Sequence, residues 1–367
     1  MSRVRLPVET CEGLRRYLKF TALVALTALL LWWFARGVNW AQVGAEMAGV
    51  NWALIAAGTC VVCATYIIRA VRWHTLLAPV AESSVRNLLA ATSVGFGAIF
   101  LIGRSGEVLR PTFLSLADRR VRPAAAFVTI GVERIYDMAA VVLIFAADMI
   151  WFRAPSGDAA AYERVRQAGF FLLGGFVVGI AALVLFRLRG AQLIGWLDAK
   201  FGRAPGVVKR VGAFVTHLLE QLRLALGVLV NARALAATVG WTALLWSSIA
   251  LANFCVLRAF NLPFGLGETI FVLGWALVGS LVPTPGGAAG AFHVATARGL
   301  SFLGVAEAKA TAVSIVLHLV LFGPALFMGL YFFLRSDVKL SRLRGAAGET
   351  GGGDDDGAAR VEFSSAR

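Results

Sequence analysis

Charge is the scarcest commodity in this sequence. Only 15% of its 367 residues are Asp, Glu, Lys or Arg, while 59% are hydrophobic and the mean hydropathy is +0.75. Soluble domains carry roughly a quarter charged residues. Several apolar runs approach or exceed the roughly 20 residues of helix that cross about 30 Å of hydrocarbon. A soluble globular domain is excluded, and the chain reads as an all-α polytopic membrane protein.

Cysteine is nearly as scarce, with four residues. Cys60 and Cys63 lie three apart inside one apolar helix, where their geometry disfavours a disulfide. Cys11 and Cys255 are isolated. Neither a disulfide framework nor a metal site is supported. There is no Asp-rich metal motif, no His pair at ligand spacing and no activated Ser or Cys, so no metal and no cofactor are expected. Nucleic-acid motifs are missing too. The net charge of +14 therefore has another reading. Lys and Arg gather at the ends of the apolar runs, as in cytoplasmic loops, and such flanks favour anionic lipid headgroups.

In order, residues 1–16 form a basic cytoplasmic tail, 17–335 a membrane domain, and 336–367 a Gly-rich cytoplasmic tail with Asp354–Asp356, expected to be disordered. The run 20–34 follows basic residues as a signal peptide does. It lacks a small-x-small cleavage site and is read as an uncleaved span. About eight hydrophobic elements follow the charge pattern: six full spans at 20–34, 52–68, 123–151, 170–186, 235–257 and 310–334, and two re-entrant hairpins. Arg69 and Arg72 are expected on the cytoplasmic flank of the second span. Residues 153–168 are expected as an external loop, and 190–233 as an amphipathic cytoplasmic segment.

The first hairpin enters from the cytoplasm and turns near residues 103–107, marked by Gly103, Gly106 and then Pro111. The second enters from outside and breaks at Pro283-Thr284-Pro285-Gly286-Gly287. Non-helical backbone at such depth needs burial in protein or a watery cavity. Both termini then lie inside. Oppositely oriented broken hairpins are what an inverted repeat gives, and in transporters they meet at a midplane site. Eight full spans also fit hydropathy, but put Arg119–Arg122 outside, against the charge bias.

The chemistry-bearing residues cluster at these breaks. Glu133 lies roughly 15 Å along the helix opened by Pro123, Asp137 is one turn on and Arg134 is adjacent. Arg104, Glu107 and Arg110 stand at the first break. Ionisable groups inside a membrane are functional by default, although a buried ion-pair network locking hairpin to helix is the structural alternative. Helices starting after Arg110-Pro111 and after Gly286-Gly287 would aim free N–H groups inward, an anion site. Arginine also grips phosphate in bidentate fashion. His293 and His318 are candidate proton carriers, although a lone histidine in an apolar helix is more often a packed, hydrogen-bonded residue.

The motifs GRSGEVLRP, VERIYD and PTPGGAAGAF, in that order, resemble those of the lysylphosphatidylglycerol synthase transmembrane-region, or flippase-like, family. Its Gly-Glu-x-x-Arg pattern falls on Gly106, Glu107 and Arg110, its Glu-Arg-x-x-Asp pattern on Glu133, Arg134 and Asp137, and its Pro-x-Pro-Gly-Gly pattern on Pro283, Pro285, Gly286 and Gly287. The resemblance implies handling of a membrane lipid in a bacterial inner (plasma) membrane, the candidates being an anionic phospholipid, a polyprenyl phosphate or a hopanoid. Arg104, Glu107, Arg110, Glu133, Arg134, Asp137, Gly286 and Gly287 would bind it. No soluble aminoacyl-transferase domain follows the last span, so synthase activity is not expected. The competing readings are an integral-membrane enzyme of lipid-linked glycan synthesis and a scaffold for envelope-biosynthesis enzymes.

Overall fold

The computed structural model describes residues 38–151, 159–201 and 232–336 continuously, with isolated positions elsewhere. Most of the tails, of the predicted span 20–34 and of 202–231 lies outside the described residues.

Asparagine and serine start the early helices. Asn39 accepts from the Gln42 amide at 3.2 Å to cap α1 (Trp40–Ala48), and Asn51 accepts from Ala53 and Leu54 at 3.1 and 3.3 Å to cap α2 (Trp52–Leu77). Such side chains satisfy amide donors that have no partner inside the helix. Ser84 does the same for α3 (Val85–Ile102). Pro123 opens α5 (Pro123–Trp151) as a first-turn proline, its missing N–H costing nothing there. Between them lie a 3₁₀ turn (Gly103–Val108) and α4 (Leu109–Ala117). The chain continues as α6 (Ala159–Phe201), α7 (Ala232–Ala259), α8 (Leu266–Ser280), a single turn at Pro285–Ala288, α9 (Ala291–Phe302) and α10 (Glu307–Leu334).

No strand occurs among the described residues. Four of their helices, α2, α3, α7 and α10, are long and apolar enough to cross a membrane, and α6 makes a fifth if its bent halves count as one span. The protein is an all-α, multi-pass membrane protein. Helix α6 corrects one expectation: the predicted external loop 153–168 is helical from Ala159, where an Ala-Ala-Ala run favours helix. The same helix bends by 43° between Ala182 and Val184 and runs on to Phe201, so the described start of the segment 190–233 is helical.

Helices α3 and α4 form a hairpin. The buried Asp118 at the foot of α4 accepts from the Ser83 hydroxyl at 2.9 Å and the Asn87 amide at 3.3 Å, tying it to the start of α3. Arg119–Arg122 therefore stay at the end of the molecule where α3 begins. A Cβ at Gly106 would lie 2.5 Å from the Ala98 carbonyl carbon and the Ile99 nitrogen, so no larger residue fits that turn.

Helices α8 and α9 form a second hairpin. Phe271 stacks on Phe302 at 5.4 Å near its feet, and a Cβ at Gly279 would come within 2.7 Å of the Ala291 carbonyl near its tip. Left-handed backbone carries the break, with φ of +76° at Gly286, +65° at Gly287 and +85° at Gly290. Helix α9 accordingly begins at Ala291, four residues past Gly287.

The two hairpins meet tip to tip. A Cβ on Gly103, itself at φ +69°, would sit 3.4 Å from the Pro283 and Thr284 carbonyl oxygens. Pro283 and Pro285 are thus at a break as expected, whereas Pro111 lies in the first turn of α4, past the turn itself.

Packing repeats between the halves. Helix α2 lies on α7; α3 lies on α10 as α8 lies on α5; α4 lies on α5 as α9 lies on α10; and α2 touches α5 as α7 touches α10. Exchanging the halves preserves every one of these pairings.

Candidate functional site: a buried charge network beside the hairpin tips

Three elements of the first half bring their ions together. Helix α2 supplies Arg69 and Arg72 one turn apart, the first hairpin supplies Glu107 and Arg110, and α5 supplies Glu133, Arg134 and Asp137. Arg72 and Glu133 are completely buried. The Arg72 guanidinium donates to both Asp137 oxygens at 2.6 and 3.2 Å, and its Nη2 lies 3.0 Å from Glu133 Oε1. Arg110 donates to both Glu133 oxygens at 2.9 Å. Glu133 therefore has two guanidinium partners.

Helix α7 closes the network. Thr242 Oγ1 accepts from Arg72 at 3.2 Å, and Trp246 Nε1 donates to Asp137 at 3.3 Å. Aromatic faces line it as well. The Arg110 guanidinium lies 4.2 Å from the centre of the Trp73 ring and 6.0 Å from that of Phe96. Ring quadrupoles attract cations at such distances. Removing one partner of a buried pair strands the other, which makes these contacts mutually dependent.

Two arginines stand apart. Arg134 is half-exposed and makes only long contacts, 3.5 Å to Glu107 and 3.7 Å to Asp137. Arg69 is partly buried with its guanidinium 4.8 Å from the centre of the Phe96 ring, and makes no ion pair among the described residues. Four arginines thus face three carboxylates, and Arg69 is the surplus cation. Both Glu133 oxygens are engaged by guanidinium groups.

Of the residues singled out in the sequence, Glu107, Arg110, Glu133, Arg134 and Asp137 come together here. Arg104 lies in the 3₁₀ turn, its side chain outside the described ones. Gly286 and Gly287 belong to the opposing tip, where the Gly287 carbonyl accepts from His318 Nε2 at 3.1 Å. Expected free helix N-termini are corrected in part. The Leu109 amide bonds to the Gly106 and Glu107 carbonyls, so α4 continues the turn instead of opening freely, and the Gly290 amide is taken by His293 Nδ1 at 3.2 Å.

Arg69 and Arg72 were expected on a cytoplasmic flank, and this is the main correction. The overlooked signal is that the apolar character of α2 continues past them through Trp73, Leu76 and Leu77, all buried.

The family model described as lysylphosphatidylglycerol synthase TM region matches residues 20–329. No curated protein and no solved structure matches the chain.

Proposed function

Because the chain belongs to the lysylphosphatidylglycerol synthase TM-region family, we propose that it is a flippase-like transporter that moves an anionic, phosphate-bearing lipid between the leaflets of a bacterial inner membrane. The observation that carries this reading is Arg69, a cation with no ion pair among the described residues, on the same helix as Arg72 of the buried ion network and one turn from it. In this reading Arg69 meets the lipid phosphate, with Arg134 and the tip residue Arg104 assisting. Arg72, Arg110, Glu133 and Asp137 hold the site in shape, while Gly286 and Gly287 let the opposing tip approach.

The hairpins are re-entrant in this proposal, entering from opposite sides, so that a headgroup crosses only the zone between their tips. The end carrying Arg86, Arg119, Arg120, Arg122 and Arg335 faces the cytoplasm. Anionic phospholipid and polyprenyl phosphate share the phosphate chemistry that an arginine recognises. The protein acts here as a carrier, not an enzyme.

The test is reconstitution into vesicles holding a labelled anionic phospholipid, a labelled polyprenyl phosphate or a neutral lipid, with leaflet exchange followed in each. Exchange of at least one phosphate lipid above that of empty vesicles is expected, reduced at least tenfold by Arg69→Gln and partly restored by Arg69→Lys. Exchange no faster than in empty vesicles for every lipid overturns the proposal. Copurification with an envelope-biosynthesis enzyme would then favour a scaffold.

A further inference from the structure

His293 and His318 occupy in the second half the places that Arg110 and Glu133 occupy in the first. Arg110 is the second residue of α4 and His293 the third of α9; Glu133 is the eleventh of α5 and His318 the twelfth of α10. Arg110 is bonded to Glu133, and the two imidazoles face each other with ring centres 4.7 Å apart. Both histidines are buried, 7% and 6% exposed. Aromatic rings line both pairs. Arg110 lies by Trp73 and Phe96; His318 lies 4.9 Å from Phe322, 5.2 Å from Phe292 and 6.2 Å from Phe100.

The hydrogen bonds give the two rings different capacities. His293 Nδ1 accepts the Gly290 N–H, so its lone pair is committed and a proton there would set donor against donor. His318 Nε2 faces the Gly287 carbonyl, which can only accept, so this nitrogen carries the hydrogen and Nδ1 carries the lone pair. A proton added at His318 Nδ1 leaves the bond to Gly287 intact and converts the ring to an imidazolium enclosed by phenyl rings.

We propose that the His293–His318 pair is a proton-binding site that holds one proton, at His318 Nδ1. The second half thereby acquires, only when loaded, a buried cation of the kind that the first half holds permanently in Arg110, here at the place of Glu133. The proton comes from water and returns to it, and no other bond is made or broken. A second proton would have to break the Gly290–His293 bond and loosen the tip of the second hairpin.

The rings that face His318 among the described residues are Phe100 of α3, Phe292 and His293 of α9 and Phe322 of α10. Among the described residues His318 makes no ion pair with Arg86 of α3, Glu268 of α8, Arg298 of α9, or Glu307 and Lys309 of α10; Lys309 pairs with Glu46 of α1, and Arg72 of α2 with Glu133 and Asp137. Arg104 and Glu107 stand on the apposed tip. Within the described contacts the surroundings of His318 are therefore aromatic and carbonyl: burial opposes a charge there, and ring faces and carbonyl oxygens offset part of that cost for one cation.

The site is tested without reference to transport. Removing the other two histidines as His74→Gln and His217→Gln leaves the pair in the full chain, and nitrogen NMR of labelled histidine in lipid nanodiscs then follows each ring from about pH 8 to pH 5. One imidazole should gain its second N–H while the other keeps an unprotonated Nδ1 throughout. His318→Gln should abolish the titrating signal, and His293→Gln should shift it without loss. Two neutral rings across the whole range, or two rings titrating together, would overturn the proposal. The intact pair answers this even where a variant does not fold.

Discussion

The two hairpins share a shape and differ in what holds them. The first is fastened by ions: Asp118 at its foot, and Arg110 clamped on Glu133 near its tip. The second is fastened by rings: Phe271 on Phe302 at its foot, and two imidazoles among phenyl groups near its tip. Ionic contacts carry a heavy desolvation cost and reward complete pairing. Aromatic contacts act through area and tolerate the loss of one polar atom. One packing pattern can therefore be built from permanent charge or from neutral polar groups, and the halves should respond differently to the same insult.

The sharpest contrast comes from truncating the shared acid. Glu133→Ala strands the buried Arg110 guanidinium and takes one of the two carboxylate partners from Arg72, and should cost about 3–5 kcal/mol, lowering the thermal unfolding midpoint in detergent well below that of His318→Gln. The histidine variant loses one neutral hydrogen bond, about 1 kcal/mol. Equal losses would break the comparison.

Next come the close approaches, where the hairpins should behave alike. Gly106→Ala and Gly279→Ala each place a Cβ against neighbouring backbone and should each cost about 1–3 kcal/mol. A large loss at one position and none at the other would mean that only one turn is closely packed.

A smaller effect is expected at the foot of the first hairpin. The Arg120 guanidinium, bonded to Asp118 at 2.9 Å, together with the Ser83 hydroxyl, holds the Asp118 carboxyl well below the usual carboxylate range. The folded state thus favours the carboxylate. Its contribution is complete above the ordinary value of about 4 and is lost as pH falls through the lower folded value. Asp118→Asn should remove about 1–2 kcal/mol near neutral pH and flatten the acid limb of a stability–pH curve. An unchanged acid limb would remove Asp118 from the account.

The smallest effect on stability belongs to the residue with the largest proposed effect on exchange. Arg69→Gln gives up one ring contact, about 0.5–1 kcal/mol. A midpoint drop as large as that of Glu133→Ala would make Arg69 a structural member of the network.

Local signals were legible in the sequence and long-range pairing was not. Pro123 and Trp151 bound their helix as read, because a first-turn proline acts within its own segment. Gly103 and the Pro283–Gly287 stretch mark real breaks for the same reason, and the ionisable residues of α5 stood out against their apolar run. Arg72 did not, since its partners Asp137 and Thr242 lie in other helices and its cost cannot be judged without them. Arg69 acquires meaning only once its neighbours are seen to be paired. The correspondence of His293 and His318 with Arg110 and Glu133 is likewise a property of the packed halves, for their residue types share nothing.

The crossing of α3 with α10 also bears on how the chain is made. A Cβ at Gly97 would lie 2.9 Å from the Ala325 carbonyl, and one at Gly329 would lie 2.6 Å from the Ser93 carbonyl, so the backbones all but touch. The first hairpin thus rests on a helix that is made about 200 residues after it. At ordinary elongation rates it waits on the order of ten seconds or more for that support. During that interval its small-residue face is open, and a nascent chain stalled before residue 307 should be far more vulnerable to membrane proteolysis than one released whole.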